Sequence, residues 1–342
     1  MTTATPLPDQ ADLDRAAHDL QQLRAAINGI IFGQEALVDL VITALLARGH
    51  VLLEGLPGLG KTELVKAFAG ALGLQSGRVQ FTPDLLPGDI TGNPLLQERD
   101  GERRFVFQPG PIFVNLLLAD EINRASPKTQ SALLEAMQER QVTVMGEAHT
   151  LPEPFFVFAT QNPIELEGTY PLPEAQIDRF LFKLDVTRTS TGVLERIIAE
   201  RRLGEAPTIT PVLTREQLLR YLSMVQAIYL PPAVSNFIAR LVNATHPGES
   251  KAASVVKYGA SPRAAIGLAA AARARALLEG RPNASAEDVQ AVAAPVLQHR
   301  VILTYQARME GESPVGFVRK LLEAISPEGK ELPRSLTAAK LE

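Results

Sequence analysis

"VLLEGLPGLGKTEL", residues 51 to 64, is the stretch on which the fold turns. A short apolar run, Val51 to Leu53, is followed by Gly55, Leu56, Pro57, Gly58, Leu59, Gly60, Lys61 and Thr62, eight positions that read G-x-x-x-x-G-K-T. A helical pattern starts at Thr62 and Glu63, so the order is strand, glycine-rich turn, helix, the context in which this spacing binds phosphate. Glycines let backbone amides turn inward around a phosphate without Cβ clashes, and the helix N-terminus adds its dipole. Lys61 is placed to reach the β- and γ-phosphates, and the Thr62 hydroxyl to ligate Mg²⁺.

A second stretch, "VNLLLADEINRASPKTQ" at 114–130, ends an apolar run in two adjacent acids, Asp120 and Glu121. Two solvated carboxylates at a strand end would be the plain reading, but ligands of a parallel sheet bind beyond its C-terminal strand ends, where the phosphate loop also lies. Asp120 then holds Mg²⁺ through water opposite Thr62, and Glu121 polarises the water that attacks the γ-phosphate. "FFVFATQN" carries Asn162 to the same edge, where its amide would orient that water; a simple Asn-Pro turn is the alternative. "EAQIDRF" places Arg179 before a further strand, on a polar approach that suggests exposure. Arg263 sits in the first turn of a later helix, against the helix dipole, which favours a phosphate ligand. For each of these arginines a surface salt bridge stays open as the alternative.

Five apolar runs, 51–54, 78–81, 115–119, 155–160 and 180–186, read as strands buried on both faces, separated by helical segments. "SPKTQSALLEAMQER" opens with Ser126 as N-cap and Pro127 at the first helical position. Two hairpins interrupt the alternation, one turning at Asp100-Gly101 and one at Met145-Gly146. Beyond residue 187 alanine-rich helices take over, with Ser261 and Ser285 as N-caps. The expected organisation is an N-terminal arm and helix over 1–28, an α/β core over 29–190, a linker over 191–211, a helical lid over 212–310 and a tail with one helix over 311–342. The 342 residues carry a formal net charge of −4 and no cysteine, which excludes disulfides and thiolate chemistry and gives no global basic field for nucleic acid. No stretch approaches the ~18 apolar residues of a membrane helix, and a cytoplasmic protein without stable membrane insertion is expected.

The ordered set of P-loop, "LLLADEINRA", "FATQNP", "EAQIDRF" and "GASPRA" resembles an AAA+ ATPase of the MoxR type, over about residues 31 to 263. The resemblance implies a parallel five-stranded sheet flanked by helices, two inserted β-hairpins facing a central pore and a small all-helical lid domain. It makes Lys61 and Thr62 part of Walker A, Asp120 and Glu121 Walker B and Asn162 the polar sensor. It makes Arg179 an arginine finger acting on the neighbouring subunit and Arg263 the second sensor in the lid; if Arg179 does not act across the interface, the finger role passes to Arg124 or Arg140. "IFGQ" at 31–34, with Phe32, Gly33 and Gln34, would lie beside the adenine. ATP and Mg²⁺ are the implied cofactors. The implied partners are further copies in a hexameric ring, a von Willebrand factor A domain protein and a client complex. Chaperone-like remodelling is the expected role. A metal-insertion or enzyme-activating motor related to magnesium chelatase, and a nucleic-acid motor, are the alternatives. A non-hydrolysing nucleotide switch has no need of Glu121, and no aromatic-Gly pore loop is present to support simple threading.

Overall fold

The computed structural model describes residues 8–56, 58–99, 102–163, 168–202 and 209–327. Pro57 and the Asp100-Gly101 turn expected from the sequence lie outside them. Helices α1 (Gln10–Asn28) and α2 (Glu35–Leu46) precede β1 (Val51–Glu54), α3 (Lys61–Leu72), β2 (Ser76–Gln80) and α4 (Pro87–Thr91). The hairpin β3 (Gly92–Arg99) and β4 (Glu102–Pro109) leads to β5 (Leu116–Asp120) and α5 (Pro127–Glu139). A second hairpin, β6 (Gln141–Val144) and β7 (Glu147–Thr150), is followed by β8 (Phe156–Gln161), α6 (Glu174–Ile177) and β9 (Phe182–Asp185). Helices α7 (Thr191–Glu200), α8 (Arg215–Ala227) and α9 (Pro232–Asn243) come next, then β10 (Val256–Tyr258), α10 (Pro262–Leu278) and α11 (Ala286–Leu297). The described chain closes with β11 (Ile302–Leu303), α12 (Tyr305–Met309) and α13 (Pro314–Ala324).

The central sheet has five parallel strands in the order β2-β5-β8-β1-β9, as the five apolar runs implied. Alternation along each strand serves two cores. Leu116, Leu118, Phe156 and Phe158 pack on the face shared with α1, α2, α3 and the lid. Leu117, Ala119, Val157 and Ala159 pack on the face covered by α5. Burial on both faces explains why these runs show no polar alternation.

Local signals explain the element starts. The Ser126 hydroxyl accepts from Thr129 N, with Pro127 at the first position of α5, and Ser285 and Asp288 form a reciprocal capping box on α11. Ser261 occupies the N-cap position of α10 but makes no capping bond; its hydroxyl donates to Asp178 instead. The β6–β7 hairpin turns through Met145 (φ 53°) and Gly146 (φ 83°), the two left-handed residues of a tight hairpin turn. Phe107 of one hairpin stacks on His149 of the other at 3.8 Å, so the two insertions form one feature. The stretch 191–211, expected to be a linker, carries helix α7.

Candidate nucleotide site

β1 delivers Gly55, Leu56 and the stretch Gly58 to Thr62 to the C-terminal edge of the sheet. Gly58 and Gly60 adopt φ of 82° and 80°, and a Cβ at either would point into open space. Glycine is therefore required by backbone conformation, which turns the loop around a cavity. That cavity, of about 420 Å³, is lined by Gly58, Gly60, Lys61, Thr62, Glu63, Arg78, Gln80, Asp120, Glu121 and Asn162. The structure thus brings together the phosphate loop, both acids and Asn162. Lys61 Nζ folds onto Gly55 O at 2.7 Å. Burial pulls its pKa below the usual lysine range, and the charges of Asp120 and Glu121 oppose that shift.

Strand alternation sends neighbouring side chains to opposite faces. Asp120 ends β5, and Glu121 next to it has φ 56°, a left-handed conformation rare for a residue with a side chain. That local strain breaks the alternation and turns both carboxylates into one cavity. Thr160, fully buried on β8, holds the pair: its hydroxyl donates to Asp120 Oδ1 at 2.6 Å and accepts from Glu121 N at 2.8 Å. On edge strand β2, Arg78 and Gln80 share a face. Arg78 Nε and Nη2 donate to Asp120 Oδ2 at 3.2 and 2.7 Å, and Gln80 Nε2 donates to Glu121 Oε2 at 2.9 Å. Arg124 Nε pairs with the same Glu121 oxygen at 2.9 Å.

Sequence reasoning missed Thr160, Arg78 and Gln80, and weighed Arg124 only as an alternative finger. The alternation of Arg78 and Gln80 was visible, but the register Gln80 against Asp120 belongs to the sheet and not to the local sequence.

A second cavity, also of about 420 Å³, shares Gly58, Gly60 and Glu63 with the first and adds Phe32, Gln34, Leu59, Leu194, Ile197 and Arg201 among its walls. Ile31, Phe32 and Gln34 of the 31–34 segment, expected beside the adenine, stand in its wall with Gly58 and Gly60. Gly33 has φ 69°, and a Cβ there would lie 2.7 Å from Val193 of α7. Arg196 stacks over the Phe32 ring at 3.9 Å, and Arg201 Nη2 donates to Ile30 O at 2.7 Å. Helix α7 therefore walls the mostly apolar compartment, the character suited to a base.

Arg179 and Arg263 line neither cavity; together with His50, Met137 and Gln138 they line a third, of about 80 Å³. It sits at the N-terminal end of the sheet, because His50 precedes β1 and Arg179 precedes β9, the edge strand. Arg179, expected to be exposed, is half-buried and donates to Leu134 O at 3.0 Å. Arg263 pairs with Asp178 at 3.2 Å. The lid docks on this end of the sheet, so Arg263 does not reach the phosphate cavity of its own chain.

Residues 50–182 match the family model of the ATPase family associated with various cellular activities (AAA), and residues 248–321 match the AAA lid domain. The chain is 44% identical to Chaperone MoxR1 of Mycobacterium tuberculosis over 322 residues, covering 93% of this chain and 85% of that one. It is 35% identical to Protein MoxR of Paracoccus denitrificans, covering 85% and 91%. The chain belongs to the MoxR family of AAA+ ATPases. A crystal structure of a candidate ATPase from Cytophaga hutchinsonii superposes with a TM-score of 0.85 at 35% identity, covering 92% of this chain and 97% of that one. The MoxR core and lid are thus both present, and the chain is an ATPase. Among the described residues no helix is long and apolar enough to cross a membrane.

The donor set fits a hard cation. The Thr62 hydroxyl and the Asp120 carboxylate supply oxygen only. No group of three or more His, Cys, Asp or Glu able to hold a metal occurs among the described residues. A cation here would rely on nucleotide phosphate oxygens and water for its remaining ligands, the usual habit of Mg²⁺ in ATPase sites.

Proposed function

We propose that this MoxR-family ATPase works in the cytoplasm as a ring of like subunits, six by family resemblance. Each subunit hydrolyses ATP in a pocket completed by its neighbour. The cycle drives remodelling or maturation of a partner protein complex, with a von Willebrand factor A domain protein as a companion. One observation carries the reading. The phosphate cavity holds Lys61, both acids and Asn162, whereas Arg179 and Arg263 lie together at the opposite end of the sheet. An arginine pair there can serve a γ-phosphate only on another copy.

Within the pocket, the backbone amides of the loop and Lys61 hold the phosphates, while Phe32, Gly33, Gln34 and α7 enclose the base. Thr62 and Asp120 would hold Mg²⁺, which would supply neutralisation of the phosphate charge. Glu121 takes the proton of the attacking water, and Asn162 orients that water. Arg179 and Arg263 of the neighbour stabilise the charge that develops on the transferred group. The name of the Mycobacterium tuberculosis relative, a chaperone, supports the remodelling half of the reading, and the paired hairpins, with Phe105 61% and Met145 66% exposed, supply apolar side chains for a client in the pore.

The test is a mixture. Arg179→Ala chains bind ATP but hydrolyse it poorly, by roughly 10³-fold for a finger lost in trans. Lys61→Ala chains fail to bind ATP. Mixed rings restore activity, because one chain offers an intact pocket and the other an intact finger. Mixed rings as inactive as their parents would overturn the trans assignment, and a Glu121→Gln chain that turns over like the parent protein would overturn the role of Glu121.

A further inference from the structure

Asp178, the residue before Arg179, is a hub. Its Oδ2 accepts the Ser261 hydroxyl at 3.1 Å and Arg263 Nη1 at 3.2 Å, and its Oδ1 accepts Arg300 Nε at 2.7 Å. Arg300, just beyond α11 in the lid, has a side chain only 3% exposed. Its other donors go to carbonyls. Nη2 reaches Asp178 O at 3.0 Å and Phe180 O at 2.7 Å, and Nη1 reaches Leu181 O at 3.1 Å and Val296 O at 2.6 Å. The two preceding residues reinforce the dock, His299 Nε2 on Phe180 O at 3.0 Å and Gln298 Nε2 on Lys183 O at 2.5 Å.

A buried guanidinium is a poor device for stability, because apolar residues of similar volume usually hold two elements together as well or better. What it supplies is geometry: a rigid planar fork whose bonds have fixed directions. Nη2 of Arg300 spans the carbonyls on either side of Arg179, so it fixes the backbone of the residue between them. Its Nε fixes the carboxylate that also holds Arg263. We propose that Arg300 is a positioning residue. Through Asp178 it locks Arg179 of the core and Arg263 of the lid into one preset pair that is presented to the neighbouring subunit's nucleotide. The lid and the finger then move as one body. This rests on the trans reading above.

The test uses the full chain and the same mixtures. Homogeneous Arg300→Lys retains nucleotide affinity but loses hydrolysis by roughly 10- to 100-fold, the scale of a misplaced catalytic group. In mixtures the effect is directional. Arg300→Lys added to the finger donor (Lys61→Ala) lowers the rescue of Arg179→Ala chains by that same factor. Added to the pocket donor (Arg179→Ala), it leaves rescue by Lys61→Ala chains intact. A merely structural role would weaken both mixtures alike, and equal loss in both, or loss in neither, overturns the proposal. If Arg300→Lys does not fold, Asp178→Asn takes its place in the same two positions with melting temperature recorded, and the same directional outcome is required. Should the control mixture of Arg179→Ala and Lys61→Ala fail to regain activity, the trans reading falls first and this inference with it.

Discussion

The Thr160 hydroxyl donates to Asp120 Oδ1 at 2.6 Å while it accepts the backbone N–H of Glu121 at 2.8 Å. One buried side chain on β8 thus orients both acids at the end of β5. Thr160→Val keeps the shape and removes the hydroxyl. It leaves a half-buried N–H unpaired at a strained residue, a loss of about 1–3 kcal/mol in stability. Hydrolysis should fall by about tenfold or more with nucleotide affinity nearly kept, because the acids lose their orientation and the loop does not. Steady-state turnover beside a thermal melt checks this; a drop in melting temperature with turnover unchanged would restrict Thr160 to a packing role.

Arg78 occupies Asp120 Oδ2, the oxygen not used by Thr160. A cation approaching Asp120 must share or displace that contact. Arg78→Gln should therefore lower the Mg²⁺ concentration needed for half-maximal binding of a fluorescent ATP analogue by about 2- to 5-fold. That is the equivalent of the at most ~1 kcal/mol that an exposed pair contributes. An unchanged Mg²⁺ titration would mean that the metal does not call on Oδ2.

Gly33 is required twice over, by φ 69° and by Val193 at 2.7 Å from any Cβ. Gly33→Ala should push α7 off the 30–32 segment and weaken nucleotide binding, with little effect on global stability because no residue of α7 is fully buried. Calorimetric titration of ATP against the variant measures it; affinity equal to the parent chain would show that α7 is not a wall of the base pocket.

Contiguous signals were the legible part of this molecule. Gly55 to Thr62 and Asp120-Glu121 carry their chemistry in neighbouring positions, and five apolar runs with intervening helical patterns imply a parallel sheet without any knowledge of contacts. Thr160 and the β2 residues were illegible because their partners sit on adjacent strands, and strand order is a property of the whole chain. Helix α7 has a Ser190 cap and Val193, Leu194, Ile197 and Ile198 at helical spacing, but its apolar face covers a cavity and not a core, so its sequence lacks the fully buried stripe that marks a core helix. The helix of Arg263 is legible from Ser261 and Pro262, but its acid is not, since Asp178 is 85 residues away in sequence.

His50 offers a test of the N-terminal end of the sheet through pH. Val157 N donates to His50 Nδ1 at 3.0 Å, so Nδ1 carries no proton, and Nε2–H donates to Met137 O at 3.1 Å. The neutral ring thereby ties β8 and α5 to the start of β1. Burial lowers its pKa to about 4, and the nearby Arg140 charge pushes the same way, while the bond to Met137 opposes. The folded pKa is below the unfolded value near 6.5, so the unfolded chain binds this proton first on acidification. The contribution of the neutral ring is fully present above pH ~6.5 and is lost as pH falls towards 4. The difference of about 2.5 units corresponds to about 3 kcal/mol. Carboxylates titrate in the lower part of that window, so the comparison must be with His50→Gln, whose amide can donate to Met137 O and accept from Val157 N without titrating. Urea unfolding at pH 7.5 and pH 5 should show the parent chain losing more stability than the variant, by about 2 kcal/mol for the part of the window above pH 5. Parallel losses in the two proteins would mean that His50 is protonated at its ordinary pH and is not held neutral by the fold.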